Sequence, residues 1–192
     1  MLSIDLNDPT AVLVAASKAL KNANIETAAY GGLALAVYGE PRETKDADLA
    51  VAEAKTHDAE LALGAAGFDV TLAFDRMQFG GQFVSRLTLA GRGSTNTVDL
   101  VESRSTSYAR RVIKRAVEGE LRGEKIRVVA PEDFVILKIL ATRERDLEDA
   151  ASVIHSVGRA LDMVMITEEL ALLAVELRDH DVAGRWRRIQ PL

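Results

Sequence analysis

The spacing of apolar and polar positions changes three times along the chain. Asp8 and Pro9 read as an N-cap and first helical residue. The alanine-rich, amphipathic run AVLVAASKALKNA behind them predicts a helix. Ile25 to Tyr30 predicts a short strand that runs into Gly31-Gly32, and LALAVYG gives one or two helical turns. A polar loop with Pro41 covers 40–45, Asp46 to Val51 is the next strand, and Thr56 to Ala66 is a helix ended by Gly67. From Phe68 to Ser103 the period becomes two. Turns at Gly80-Gly81 and at GRGS (91–94) separate strands near 70–79, 82–90 and 95–102. Ser107 to Glu118 predicts a helix and Lys125 to Val129 a final strand. A helix start at Ala130-Pro131-Glu132-Asp133 then opens a stretch that is helical almost throughout to about His180. The expected architecture is an α/β (α+β) core over 1–130 with a helical region over 131–192 packed on it as one compact unit.

Composition narrows the possible chemistry. The chain has 192 residues, of which 48% are apolar and 28% charged, an ordinary globular balance. With no cysteine, disulfides, thiolate metal sites and cysteine nucleophiles are excluded. No apolar run approaches the roughly 20 residues of a spanning helix. The first residues have no basic start and no apolar stretch, so no signal peptide is expected. These features are compatible with a cytoplasmic protein that makes no membrane contact. The net charge of -5 argues against a dedicated duplex binder. Arg110, Arg111, Lys114 and Arg115 read as a solvated helix face. Trp186, among Arg185, Arg187 and Arg188, either packs the tail or marks a partner contact. His57, His155 and His180 have no metal-like spacing.

The segment YGGLALAVYGEPRETKDADLAV (30–51) carries the strongest chemical signal. Side chains alternate on a strand, so Asp46 and Asp48 share a face while Ala47 and Leu49 enter the core. Two carboxylates this close repel unless a cation lies between them. Magnesium suits such a pair, because it takes one or two protein carboxylates and completes its shell with water and phosphate oxygens. In NTVDLVES, Asp99 faces away from Val98 and Leu100. If its strand neighbours the first, three carboxylates gather as the ligands of a two-metal phosphoryl-transfer site. Gly31 and Gly32 follow a strand and open a helix, where backbone N–H groups can approach phosphate.

These motifs resemble the polymerase-β-type nucleotidyltransferase superfamily. Its signature is a glycine turn, then an Asp-x-Asp strand, then a third carboxylate on a later strand. Gly31-Gly32, Asp46-Ala47-Asp48 and Asp99 occupy those places. Together with APEDFVILKILATRERDLEDA (130–150), the pattern is similar to AbiEii-type nucleotidyltransferases, the toxin branch. Lys138, Arg143, Asp146 and Asp149 match the second motif. The resemblance implies a nucleotidyltransferase fold, a mixed sheet flanked by helices with a helical C-terminal region. It also implies Mg2+, with two ions, and an NTP donor whose NMP moves to a hydroxyl acceptor. That acceptor would be a tRNA 3′ end or a small molecule, and an antitoxin partner is implied as well. Many active members carry Ser where Gly32 stands. A catalytically inactive nucleotide- or protein-binding module of the same fold is the alternative.

Three positions are read both ways. Lys138 interrupts VILKIL, either as a phosphate contact or partner of the aspartates, or as a helix-edge lysine. Arg42 and Thr44, on the loop entering the Asp strand, either contact phosphate or cap the loop. The resemblance favours function for Arg42. Asp146 and Asp149 are expected to position Arg143, Arg145 or Lys138.

Overall fold

The computed structural model describes residues 4–38, 41–91 and 93–190. Parts of five sequence readings lie outside the described residues: the first three positions of the N-terminal stretch, Gly39 of LALAVYG, Glu40 of the following loop, Arg92 of the GRGS turn and the last two positions of the 131–192 region.

Helix α1 (Pro9–Asn22) starts where Asp8 accepts hydrogen bonds from the Thr10 and Ala11 amides at 3.1 and 3.3 Å. Strand β1 (Thr27–Tyr30) begins two residues later than the apolar pattern suggests. The cause is local, because the Ile25 amide bonds back to Leu20 O at the end of α1. Then follow α2 (Gly31–Leu35), a 3-10 turn (Ala36–Tyr38), β2 (Ala47–Val51) and α3 (Thr56–Ala65). The β region supplies β3 (Asp69–Phe79), β4 (Gln82–Gly91) and β5 (Ser94–Ser103).

The next helix, α4 (Thr106–Arg115), stops short of Glu118. Glu118 instead belongs to β6 (Val117–Leu121), which forms a hairpin with β7 (Glu124–Val128). The sequence reading missed β6 because VEGEL is mostly exposed and polar, as suits an edge strand, and so gives no alternation. The remainder is helical: α5 (Pro131–Leu140), α6 (Glu144–Val157), α7 (Met163–Glu176) and α8 (Val182–Arg187). None of the helices among the described residues is long and apolar enough to cross a membrane.

All seven strands join one mixed sheet, ordered β3-β4-β5-β2-β1-β7-β6. β2 is antiparallel to β1 and parallel to β5. The registers line up one row across five strands: Phe74, Arg86, Asp99, Asp48 and Tyr30, each directly opposite the next. Cross-strand partners share a face, so the row sets aromatic, cationic and acidic groups side by side. α1 covers the opposite face, where Ser17 meets Thr27 and Ala47, Leu49, Val98 and Leu100 are buried. α5 covers part of the row's own face. Phe134 lies 5.5 Å from the Tyr30 ring, and Gln82 Nε2 donates to Leu137 O at 2.8 Å.

α5 is buried all round, every residue from Asp133 to Leu140 included, as a helix apolar on all sides must be. Its neighbours are tied to it by charge. Asp133 is fully buried and accepts from Tyr108 Oη at 3.0 Å and from Arg115 Nε and Nη2 at 2.8 and 2.5 Å. Arg111 and Arg115 also engage Glu169 of α7. The basic face of α4 is therefore solvated only in part: Arg110 and Lys114 are exposed, while Arg111 and Arg115 hold buried carboxylates. Trp186 is buried and packs the tail, and Arg185 donates to the carbonyls of Ile139, Thr142 and Arg143.

Two outcomes follow. Phe134, Val135, Ile136, Leu137, Ile139 and Leu140 are all buried, and at about 1.5–3 kcal/mol each they contribute on the order of 10 kcal/mol. That matches the whole stability of a typical domain. A chain ending at residue 130 should lack a cooperative unfolding transition in circular dichroism; a sharp transition would contradict this packing. Asp133→Ala leaves the buried Tyr108 hydroxyl without its carboxylate acceptor and Arg115 with Glu169 alone, and should cost roughly 2–4 kcal/mol, a Tm fall on the order of 10 °C by calorimetry.

Candidate active site

The carboxylates meet because β2 and β5 are parallel neighbours in one register. Asp48 sits opposite Asp99, and Ala47 sits opposite Val98. Asp46 lies one residue before β2 and lines the same cleft. That cleft, about 870 Å³, runs from Tyr30 and Gly31 past the three aspartates to Phe74 and Phe79. Asp99 is 6% exposed, Asp48 half-buried, and the Asp46 side chain 47% exposed. Burial first, and then the charge of Asp99, pushes the Asp48 carboxyl up to about 7, although Lys138 opposes the shift.

Two groups that the sequence reading missed hold the other carboxylates. Arg86 forks Asp99, with Nε to Oδ1 and Nη2 to Oδ2 both at 2.7 Å. The same Nη2 lies 3.7 Å from Asp46 Oδ2. Thr97, two positions before Asp99, donates to Asp46 Oδ1 at 2.9 Å. The hydrogen bonds to Asp99 hold the Arg86 guanidinium above its usual value. Arg86 carried a readable signal. It is the one cation in QFVSRLTLA, and counting back five pairs from the turn at Gly91 and Ser94 sets it opposite Asp99.

Gly31 has φ +65°, and a Cβ there would overlap the Asp48 carboxylate, so only glycine fits. Gly32 is buried behind the loop, not on the cleft wall. A Cβ at that position would come within 2.8 Å of Thr44 Cβ and 3.1 Å of the Arg42 guanidinium carbon. A serine at position 32 would therefore press on Thr44 and Arg42, which explains glycine there by packing. Thr44 lines the cleft, and its hydroxyl reaches Asp46 O only at 3.5 Å.

The second motif closes the far wall. Lys138 is buried at 4% exposure and donates to Asp146 at 3.0 Å, with Asp149 at 2.8 Å. Its ammonium lies 5.2 Å from the centre of the Tyr30 ring. Burial opposes the charged form of Lys138, yet its surroundings, Asp146 and Asp149 among them, hold it above its usual value. Arg42 forks Asp149 at 3.1 Å from both Nε and Nη2. Burial would raise Asp149, but Lys138 and Arg42 together keep it below the usual carboxylate range. Asp149 thus clamps the loop before β2 to α5 and α6. Arg42 and Lys138 line the cleft with their charges already matched by Asp146 and Asp149. Lys45, Arg143 and Arg145 stand exposed on its lining.

A hard divalent cation suits part of this donor set. Asp46 and Asp48 are close, repel each other and have no full counter-charge. The three aspartates do not form a closed three-ligand cage, and no such acidic or histidine cluster occurs among the described residues. At Asp99 both oxygens already accept from Arg86.

No curated protein matches the sequence. Among solved structures, ANT(2'')-Ia in complex with adenylyl-2''-tobramycin is similar, with 13% identity, 88% of this chain and 97% of that chain covered, and a TM-score of 0.50. The solution structure of the antibiotic-resistance factor ANT(2'')-Ia has 12% identity, coverage of 93% and 96%, and a TM-score of 0.52. JHP933 from Helicobacter pylori has 18% identity, coverage of 91% and 79%, and a TM-score of 0.52. At such identities the likeness establishes the fold, a mixed α/β nucleotidyltransferase fold. The profile of the family described as "Nucleotidyl transferase of unknown function (DUF2204)" matches residues 10–188, and the chain belongs to that family.

Proposed function

We propose that the protein transfers a nucleoside monophosphate from an NTP to a hydroxyl acceptor and releases pyrophosphate. The acceptor oxygen bonds to the α-phosphorus as the bond to the bridging oxygen of the β-phosphate breaks, and the hydroxyl proton passes to Asp99. The observation that carries this reading is the pairing of Asp48 with Asp99 beside Gly31, with Asp46 entering the same cleft. Asp46 and Asp48 would hold Mg2+, which supplies charge neutralisation to the triphosphate and the departing pyrophosphate. The resemblance implies two ions; a second one would have to share Asp99 with Arg86. Gly31 leaves room for phosphate beside Asp48, Gly32 and Thr44 shape the loop behind it, and Arg42 and Lys138 line the phosphate side. Lys45, Arg143 and Arg145 add exposed positive charge suited to an anionic substrate.

Two acceptor classes remain in this proposal, a tRNA 3′ end and a small molecule. The resemblance to AbiEii toxins supports the first. The fold shared with ANT(2'')-Ia, whose structure holds adenylyl-2''-tobramycin, supports the second. The AbiEii resemblance also proposes a toxin restrained by a separate antitoxin, acting in the cytoplasm. A second reading, a nucleotide- or protein-binding module without catalysis, is favoured by one observation: Arg86 already occupies both oxygens of Asp99.

Labelled ATP, CTP, GTP and UTP with Mg2+ should label either tRNA or tobramycin, and Asp48→Ala should lower that transfer by at least about 10³-fold. Labelling of neither acceptor, nor of a wider hydroxyl panel, would remove the enzyme reading. Mg2+ with the preferred NTP should raise Tm in the native protein and leave Asp46→Ala and Asp48→Ala unmoved. A Tm rise without transfer would select the binding-module reading. Induced expression should arrest growth if the toxin role is right, and Asp48→Ala should relieve the arrest.

A further inference from the structure

We infer that Arg86 takes the place of a second divalent cation, so that the cleft binds one metal ion per protein. The inference rests on the nucleotidyl-transfer reading and fixes how that site is charged.

Backbone register, not a chance side-chain rotamer, sets where Arg86 lies. It stands directly opposite Asp99 in the β4–β5 ladder, one strand from Asp48. Its guanidinium takes both Asp99 oxygens at 2.7 Å and reaches to 3.7 Å from Asp46. It thus spans two carboxylates, as a bridging cation would. Phe74, opposite Arg86 on β3, flanks the guanidinium with its ring centre 5.6 Å away. Arginine does not lose its proton in proteins, so this positive charge is permanent.

The ion pairs on the two walls point the same way. On the far wall Arg42 and Lys138 are matched by Asp146 and Asp149. On the floor Arg86 is the cation paired with Asp46 and Asp99, while Asp48 has no ion pair among the described residues and feels Lys138 and Arg42 only at longer range. Asp46 and Asp48 are thus the carboxylates left open to a metal ion. A second ion at Asp99 would have to share a carboxylate that is 6% exposed with a forked guanidinium, setting its charge beside a permanent cation held by two charge-assisted hydrogen bonds. Arg86 therefore acts as a positioning residue for Asp99.

The test counts bound Mn2+ by electron paramagnetic resonance, with the protein alone and with α,β-methylene analogues of the four NTPs. The native protein should bind one Mn2+ beyond the ion that free nucleotide carries. Arg86→Gln should bind two, and the double variant Arg86→Gln/Asp99→Asn one again. Asp99→Asn alone keeps the test decisive if Arg86→Gln does not fold. It should still bind one ion, with a Kd within about threefold of the native value, because Asp99 is not a metal ligand in this scheme. Two ions in the native protein, one ion in a folded Arg86→Gln, or loss of the ion in Asp99→Asn would each overturn the inference. Two native ions would leave the nucleotidyl-transfer proposal standing. No Mn2+ bound in any form would remove both.

Discussion

Two carboxylates placed opposite each other on parallel neighbours, Asp48 of β2 and Asp99 of β5, are the constraint around which the rest of the structure is arranged. Like charges directly opposite in a sheet repel, and partial burial strengthens the repulsion by lowering the local dielectric. The fold tolerates the pair because positive charge approaches from both sides. Arg86 comes from β4 and forks Asp99. Lys138 comes from α5 and lowers the cost of charging Asp48. The pair thus depends on cationic side chains brought in from neighbouring elements.

That requirement explains why the helical region is wrapped into the cleft and not merely appended to the sheet. A buried lysine is costly unless anions surround it. Lys138 meets this condition through Asp146 and Asp149 on the next helix, and Asp149 extends the chain of charge to Arg42 on the loop before β2. One carboxylate thus joins the loop that carries Asp46 to the helices that close the far wall. A second buried network, Tyr108, Asp133, Arg115 and Glu169, fastens α4 and α7 around α5 in the same manner.

Much of this was legible in the chain. The strand alternation around Asp48 and Asp99 was readable because each of these aspartates is flanked by residues that must enter the core. Ala47, Leu49, Val98 and Leu100 are all buried. The glycine turns and the Pro131 helix start carry their own backbone chemistry. The β6 strand was not legible, because an exposed polar edge has no alternation. Lys138 could be read two ways, since a lysine in an apolar helix has the same sequence signature whether it snorkels or meets buried anions. Arg86 escaped notice for a different reason. Its partner lies across a hairpin, and only the register of the 91–94 turn pairs the two.

The β3–β4 hairpin marks the boundary between what local sequence determines and what it does not. Counting back from the Gly80-Gly81 turn in a regular ladder would set Asp75 opposite Arg86 and put a third carboxylate in the row. Irregularities between Leu72 and Met77 instead bring Phe74 there and turn Asp75 away to Ser85. Local sequence therefore determined the elements, the alternation and the acidic motif, since each depends on neighbours a few residues apart. Strand order, bulge position and the long-range partners of Arg42 and Lys138 were decided only by the tertiary structure. They depend on which segments pack together, and a side-chain period of two cannot specify that.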